Sequence, residues 1–307
     1  MKIALALVLL SAPLRAATPP AAPYGILLLA HGGDASWNAE VARLRRLVDA
    51  KAPTETSLGM ADVESLQAAV DRLEKRGVAR IVAVPLFVQT RSEVLDQTRY
   101  ALGLADKPSA ILKAAYERMG AAHAGHAAAG HGHKMEFSTA RVKSREPIVM
   151  ARALDDHELV GRILNERAKA LSRGAEKAHL VLVGHGPVDE SAVPVWKDSM
   201  MSLCAMAGSG GPFVDCGIAL LRDDASPEIR AAAVADMREM VSRAKAGKLG
   251  PVVVVPLLIA RGGIEKKIVK DLEGLDYAWD GKTLMPHAGF DAWVLESAAK
   301  ADWAGKP

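Results

Sequence analysis

Aromatic residues make up only 4% of this 307-residue chain, so its core has to be built from Ala, Val, Leu and Ile. Cysteine is scarcer still: Cys204 and Cys216 are too few for a disulfide-knit scaffold. No apolar stretch reaches the ~18–20 residues of a membrane-spanning helix. Charge of one sign is not in excess, and a net charge of +3 is too small to indicate nucleic acid as a partner. There is no G-x-G-x-x-G and no Walker motif, so no organic cofactor of the nucleotide kind is expected. What remains is an ordinary globular balance, 50% hydrophobic and 24% charged, which excludes a mainly disordered or fibrous chain. At ~100–200 residues per domain, the length fits two domains.

The first residues stand apart from the fold. Lys2 is followed by the apolar run Ile3 to Leu10 and by small residues at Ala16 and Ala17. Residues 1–16 therefore read as a secretory signal peptide, with Leu14 three residues before the cut and no Cys nearby for a lipid anchor. Losing Lys2 and Arg15 leaves a near-neutral mature chain, expected to be periplasmic or secreted. In an oxidising compartment Cys204 and Cys216 can pair; the alternative is two buried free thiols.

The chain repeats itself. Tyr24 to His31 (YGILLLAH) and His179 to His185 (HLVLVGH) are apolar runs ending in His-Gly, the pattern of buried parallel strands. After the first, a helix is expected over Asn38 to Ala50, capped by Asp34 or Ser36. Ala79 to Leu104 and Gly250 to Leu275 each read as a Val-rich strand, Pro-Leu, a short polar loop and an amphipathic helix. Long helices precede them, Val63 to Arg76 and Ser226 to Ala246. ALDDHELVGRIL at 153–164 matches LMPHAGFDAWVL at 284–295, which pairs His287 with Asp156. The same element order twice over implies a duplicated α/β unit, each copy a parallel sheet flanked by helices. The copies span 24–172 and 178–303. The first carries an insert at 120–134, whose His123, His126, His131 and His133 lie among Ala and Gly; this tract is expected to be a mobile loop.

Ligands in open α/β sheets bind beyond the carboxyl ends of the strands. His31 and His185 sit at two such ends, and an imidazole there can ligate a divalent metal or accept a proton. Glu93 and Glu265 follow the Pro-Leu loops, so Glu93 is expected to face His31 and Glu265 to face His185. The competing reading of each glutamate is a helix first-turn residue that complements the dipole. Asp34 and Asn38 read as a cap and a first-turn residue, and Trp37 as either a stacking surface or core packing. The four-His tract fits no closed zinc site and reads as low-affinity metal capture or as a solvated linker. The His-Gly loops are not those of an α/β-hydrolase, since G-x-S-x-G is missing. Nor are they those of a histidine phosphatase, since Ala30 and Gly184 stand where Arg would be.

Strand-then-His-Gly at 25–33 and 180–187, with strand-then-Pro-Leu at 80–87 and 251–258, resembles the class II tetrapyrrole chelatases, in particular the sirohydrochlorin cobalto/ferrochelatase family. The resemblance covers residues 24–303 apart from the insert. It implies duplicated chelatase-like domains with a cleft between them, and insertion of Co²⁺, Fe²⁺ or Ni²⁺ into a tetrapyrrole without ATP. It also implies that His31 is a metal ligand and proton acceptor. The chain departs from the family pattern in carrying Glu93 where a second His usually follows the PLF loop. Met60 and Arg222 stand where an acid often ends the strand before the long helix. The expected enzyme is thus a lyase acting on a tetrapyrrole, with His31, Glu93 and His185 as catalytic residues. His31, Glu93, His185, Glu265 and the four insert histidines are its metal ligands. A carrier or metallochaperone on the same fold, binding metal or tetrapyrrole without turnover, is the alternative that the export signal favours.

Overall fold

The structure, a computed structural model, describes residues 24–123, 137–247 and 250–303. The first sheet has four parallel strands: β1 (Tyr24–Ala30), β2 (Thr54–Leu58), β3 (Arg80–Pro85) and β4 (Ile148–Met150), in the order β2-β1-β3-β4. The second has β5 (Ala178–Gly184), β6 (Phe213–Leu220) and β7 (Val252–Leu257), in the order β6-β5-β7. An isolated parallel bridge from Val253 to Ala278 stands beside β7 where β4 stands beside β3. The duplication expected from the sequence is therefore present strand for strand, with the last strand of the second copy reduced to one bridge.

Helices follow the strands as the patterning requires. α1 (Ala35–Asp49) is capped by Asp34, whose side chain accepts the Trp37 N–H. α2 (Val63–Lys75) is capped by Asp62, and α3 (Glu93–Ala101) opens after the Pro-Leu loop. α4 (Ala110–His123) runs into the start of the insert. The tract thus begins as helix rather than loop, since Ala-rich sequence has the highest helix propensity. α5 (Glu158–Ser172) closes the first copy. In the second come α6 (Val193–Gly208), α7 (Pro227–Ala246, capped by Ser226), α8 (Ile264–Asp271) and α9 (Phe290–Ala299). Cys204 on α6 and Cys216 on β6 are bridged, which decides between the two readings of the cysteines.

Alternation along the strands sets the layers. Ile26, Leu28 and Ala30 of β1 face a central core shared with α1, α5, α6, α9 and the inner faces of β5 and β7. Leu27 and Leu29 face α2 in an outer core; Val181 and Val183 of β5 face α7 and α8 in another. Fully burying each such Val or Leu contributes about 1.5–3 kcal/mol. The central layer exchanges partners between copies: α5 packs on α6 and β7, and α9 packs on α1 and β3. The last helix of each copy thus covers the sheet of the other, and one core runs through both. The carboxyl ends of the two sheets meet at their loops. The Trp196 indole N–H of α6 donates to the Arg91 carbonyl at 3.0 Å, and Gly262 lies against the Trp37 ring. Among the described residues, no helix is long and apolar enough to cross a membrane.

Candidate metal centre

Each His-Gly motif fixes its imidazole in the same way. His31, exposed at the end of β1, directs Nδ1 to the Gly32 carbonyl at 2.8 Å. His185, at the end of β5, directs Nδ1 to the Gly186 carbonyl at 2.9 Å. A carbonyl only accepts, so each Nδ1 carries the hydrogen, and in the neutral ring Nε2 is left with its lone pair outward. That is the tautomer a metal-binding histidine needs. Gly32 (φ +80°) and Gly186 (φ +79°) turn the chain through the left-handed region immediately after each histidine.

The second copy adds acids. His185 Nε2 faces Asp224 Oδ2 at 3.5 Å, and Asp223 completes a group of three donors within 4.8 Å of one another. A proton on the imidazole or a metal ion between the two satisfies both groups. With metal bonds of about 2.0–2.2 Å, tetrahedral ligands lie roughly 3.3–3.5 Å apart, which the His185–Asp224 separation matches. Asp223 is engaged elsewhere: Lys267 bonds it, and Arg230 approaches at 3.3 Å. Burial would raise its carboxyl, but Lys267, Arg230 and His185 together hold it below the ordinary value. Asp223 thus anchors the turn and leaves Asp224, more than half exposed, as the carboxylate open to a cation.

Glu93 approaches this group from the first copy. It heads α3, and its carboxyl lies against the backbone N–H groups of Glu93 itself and of Val188, with His185 and Asp224 close enough to act on it. Burial pushes its carboxyl above the usual carboxylate value, and the Asp224 charge pushes the same way; the two N–H groups and His185 oppose this only in part. Sequence spacing pairs Glu93 with His31 of its own copy; the charges that act on its carboxyl are those of His185 and Asp224. The loops of the two copies interleave, so Val188, His185 and Asp224 of the second copy lie around Glu93.

Glu265 is also corrected. It is buried, and its Oε2 accepts the Gly262 N–H at 3.2 Å and the Gly263 N–H at 3.0 Å. The carboxylate closes its own glycine turn, where helix-start N–H groups need an acceptor, rather than turning to His185. Trp37 is 7% exposed and packs in the core. Asn38 clamps Gly33 through both its amide oxygen (3.0 Å) and its amide nitrogen (2.9 Å).

The pairing of His287 with Asp156 shifts by one residue. Leu154 and Leu284 donate to the equivalent carbonyls of Phe87 and Leu258, and Asp155 and Met285 to those of Val88 and Ile259. In this register His287 matches His157. His157 caps α5 through Nδ1, whereas His287 Nε2 pairs with Glu166 of α5 at 3.2 Å. In the insert, His123 closes α4, and His126, His131 and His133 lie outside the described residues.

Asp223 and Asp224 are absent from the sequence-derived candidates. Their signal is a pair of acids between the end of β6 and the Ser226 cap. The strand itself escapes sequence reading, because Phe213–Leu220 alternates weakly and contains Asp215, Cys216 and Gly217.

Residues 25–94 match the family model described as CbiX. None of the curated proteins matches the chain significantly in sequence. In three dimensions the chain is similar to SirB from Bacillus subtilis with Fe3+, at 16% identity and a TM-score of 0.57, covering 90% of this chain and 94% of that one. It is also similar to the sirohydrochlorin chelatase SirB from Bacillus subtilis subspecies spizizenii in complex with cobalt, at 15% identity and a TM-score of 0.55, with the same coverage of 90% and 94%. A third likeness is to DR2241 from Deinococcus radiodurans, a multi-domain protein with structural similarity to chelatases (16% identity, TM-score 0.50, 91% of this chain and 55% of that one). At such identities these likenesses establish the fold. The α/β architecture of paired parallel sheets and the resemblance to the class II chelatases are borne out.

Proposed function

We propose that this protein inserts a divalent metal, Co²⁺, Fe²⁺ or Ni²⁺, into a tetrapyrrole of the sirohydrochlorin class without ATP. Metalation removes two pyrrole protons while the ion reaches the same nitrogens. One place must therefore hold the metal loosely and accept protons. The observation that carries this reading is the meeting of His185 Nε2 with Asp224 Oδ2 at 3.5 Å, beside the half-buried Glu93 of the other copy. His185 and Asp224 hold the ion, and so few protein donors leave it free to depart. Glu93, with its carboxyl raised by burial, is a stronger base than an exposed carboxylate and takes one pyrrole proton. His31 presents its Nε2 lone pair from the equivalent edge of the first sheet and takes the second. The match to CbiX and the fold shared with SirB support this reading.

In this proposal His123, His126, His131 and His133 form a low-affinity metal reservoir. The described residues on either side of the tract meet: Tyr116 and Phe137 lie edge to face at 6.1 Å. The Tyr116 hydroxyl reaches the Met60 carbonyl at 3.4 Å, just beyond β2 and next to the strand that ends in His31. The periplasmic or secreted location belongs to the same proposal and is supported by the Cys204–Cys216 bridge. That bridge also favours a second reading, an exported carrier of metal or tetrapyrrole that does not turn over.

The absorbance change of sirohydrochlorin mixed with Co²⁺ and purified protein separates the two. A rate above the metal-only blank is expected. Binding of both partners with no such rate refutes the enzyme and leaves the carrier.

A further inference from the structure

Arg222 borders the His185–Asp224 group through both its backbone and its side chain and is itself no ligand. It is 6% exposed and takes a left-handed backbone (φ +54°), uncommon for a residue with a side chain. Its backbone N–H donates to the His185 carbonyl at 2.8 Å, and its own carbonyl accepts the Ala225 N–H at 3.1 Å, closing the turn that carries Asp223 and Asp224. The guanidinium Nε–H donates to the Pro187 carbonyl at 2.7 Å, and one Nη reaches the Val188 carbonyl at 3.5 Å and the Glu190 carboxylate. Val188 is the residue whose N–H lies against Glu93. A Cβ on Gly186 would fall 2.8 Å from Arg222 Cδ, so the glycine of the His-Gly motif makes room for this side chain.

We propose that Arg222 is a positioning residue that holds the metal ligands His185 and Asp224 and the proton acceptor Glu93 in one register across the two copies. The proposal rests on the site assignment above. A buried guanidinium with three acceptors in a fixed fork holds its neighbours more rigidly than an ammonium can. Support of this kind behind metal ligands is worth about 10–100-fold in metal affinity or activity.

The test is Co²⁺ alone, titrated into the full-length protein and followed through the visible absorption of the bound ion, for wild type, R222Q, R222K, E190Q and H185A. R222Q is expected to weaken Co²⁺ binding about 10–100-fold and to alter the spectrum of the bound ion, with partial recovery in R222K. A merely structural role would lower Tm yet leave the affinity and spectrum of the folded fraction unchanged, and that result overturns the proposal. If R222Q does not fold, E190Q decides. Glu190 is exposed, so its loss spares the fold, and an unaltered affinity and spectrum overturn the proposal. A several-fold weakening supports it. If H185A binds Co²⁺ as wild type does, the site assignment itself fails and this proposal with it. If H185A loses the tighter Co²⁺ site and keeps only the weak binding of the His tract, while the Arg222 and Glu190 variants keep the tighter site, only the positioning role fails.

Discussion

His185 and Asp224 face each other at 3.5 Å, the imidazole through Nε2 and the aspartate through a carboxylate oxygen. The pair sits at the carboxyl edge of the second sheet, and in the proposed function it holds the metal while Glu93 of the first copy supplies the base.

Glu93→Gln tests that base. The change removes the proton acceptor while keeping the shape, and turnover is expected to fall by about 10²–10⁴-fold. Stability is expected to move the other way. The folded value of this carboxyl is raised, mainly by burial. Its protonation therefore favours folding, a contribution fully present below the ordinary carboxylate pKa and lost as pH rises through the folded value. At neutral pH the glutamine variant should keep or gain Tm; a marked loss of Tm would show that Glu93 is structural.

Deleting residues 124–136 tests the reservoir. The amount of Co²⁺ retained on a desalting column should fall, while the initial rate at saturating metal stays close to wild type. A lost rate at saturating metal would make the tract part of the catalytic site.

Stability at acid pH should depend on Glu55, buried in β2 and bonded by Arg72 at 2.8 Å, Arg45 at 3.1 Å and Arg76 at 3.2 Å. Burial raises its carboxyl, but Arg72, Arg45 and Arg76 outweigh this and hold it below the ordinary value. Its contribution is thus present above the ordinary carboxylate pKa and is lost as pH falls through the lower, folded value. Glu55→Gln should cost about 1–3 kcal/mol at pH 7 in urea unfolding, given hydrogen bonds to charged groups. The gap from wild type should narrow below pH ~4. A gap independent of pH would contradict the charge argument.

The bridge between Cys204 and Cys216 closes a short loop, with a sequence separation of 12. A loop of this size contributes about 3 kcal/mol, so reductant, or the double change of both cysteines to Ser, should lower the urea midpoint by a corresponding amount. Free thiols titrated in the unreduced, denatured protein would contradict the bridge.

Much of this architecture is legible in the sequence because buried parallel strands announce themselves as unbroken apolar runs. β1, β3, β5 and β7 are found that way, and their repetition gives the duplication. β2 is hidden because Thr54–Leu58 reads TETSL: its buried Thr54, Glu55 and Ser57 are satisfied by arginines and hydroxyls that no periodicity reveals. The site is half legible for a similar reason. His31, His185 and Glu93 stand out at strand ends and in matching loops, but which copy Glu93 serves depends on how the loops interleave. Sequence spacing assigns each Pro-Leu loop to its own sheet, whereas the exchange of α5 and α9 locks the copies so that Glu93 lies by Val188. Glu265, in the matching loop, is claimed by the N–H groups of Gly262 and Gly263, a local need that sequence spacing does not register.

The most direct measurement is the position of cobalt in crystals of the protein soaked with Co²⁺, located by its anomalous scattering. The account predicts an ion bound by His185 Nε2 and Asp224 at about 2.0–2.2 Å, with Glu93 beside it. An ion held by His31 with none at His185 would contradict it.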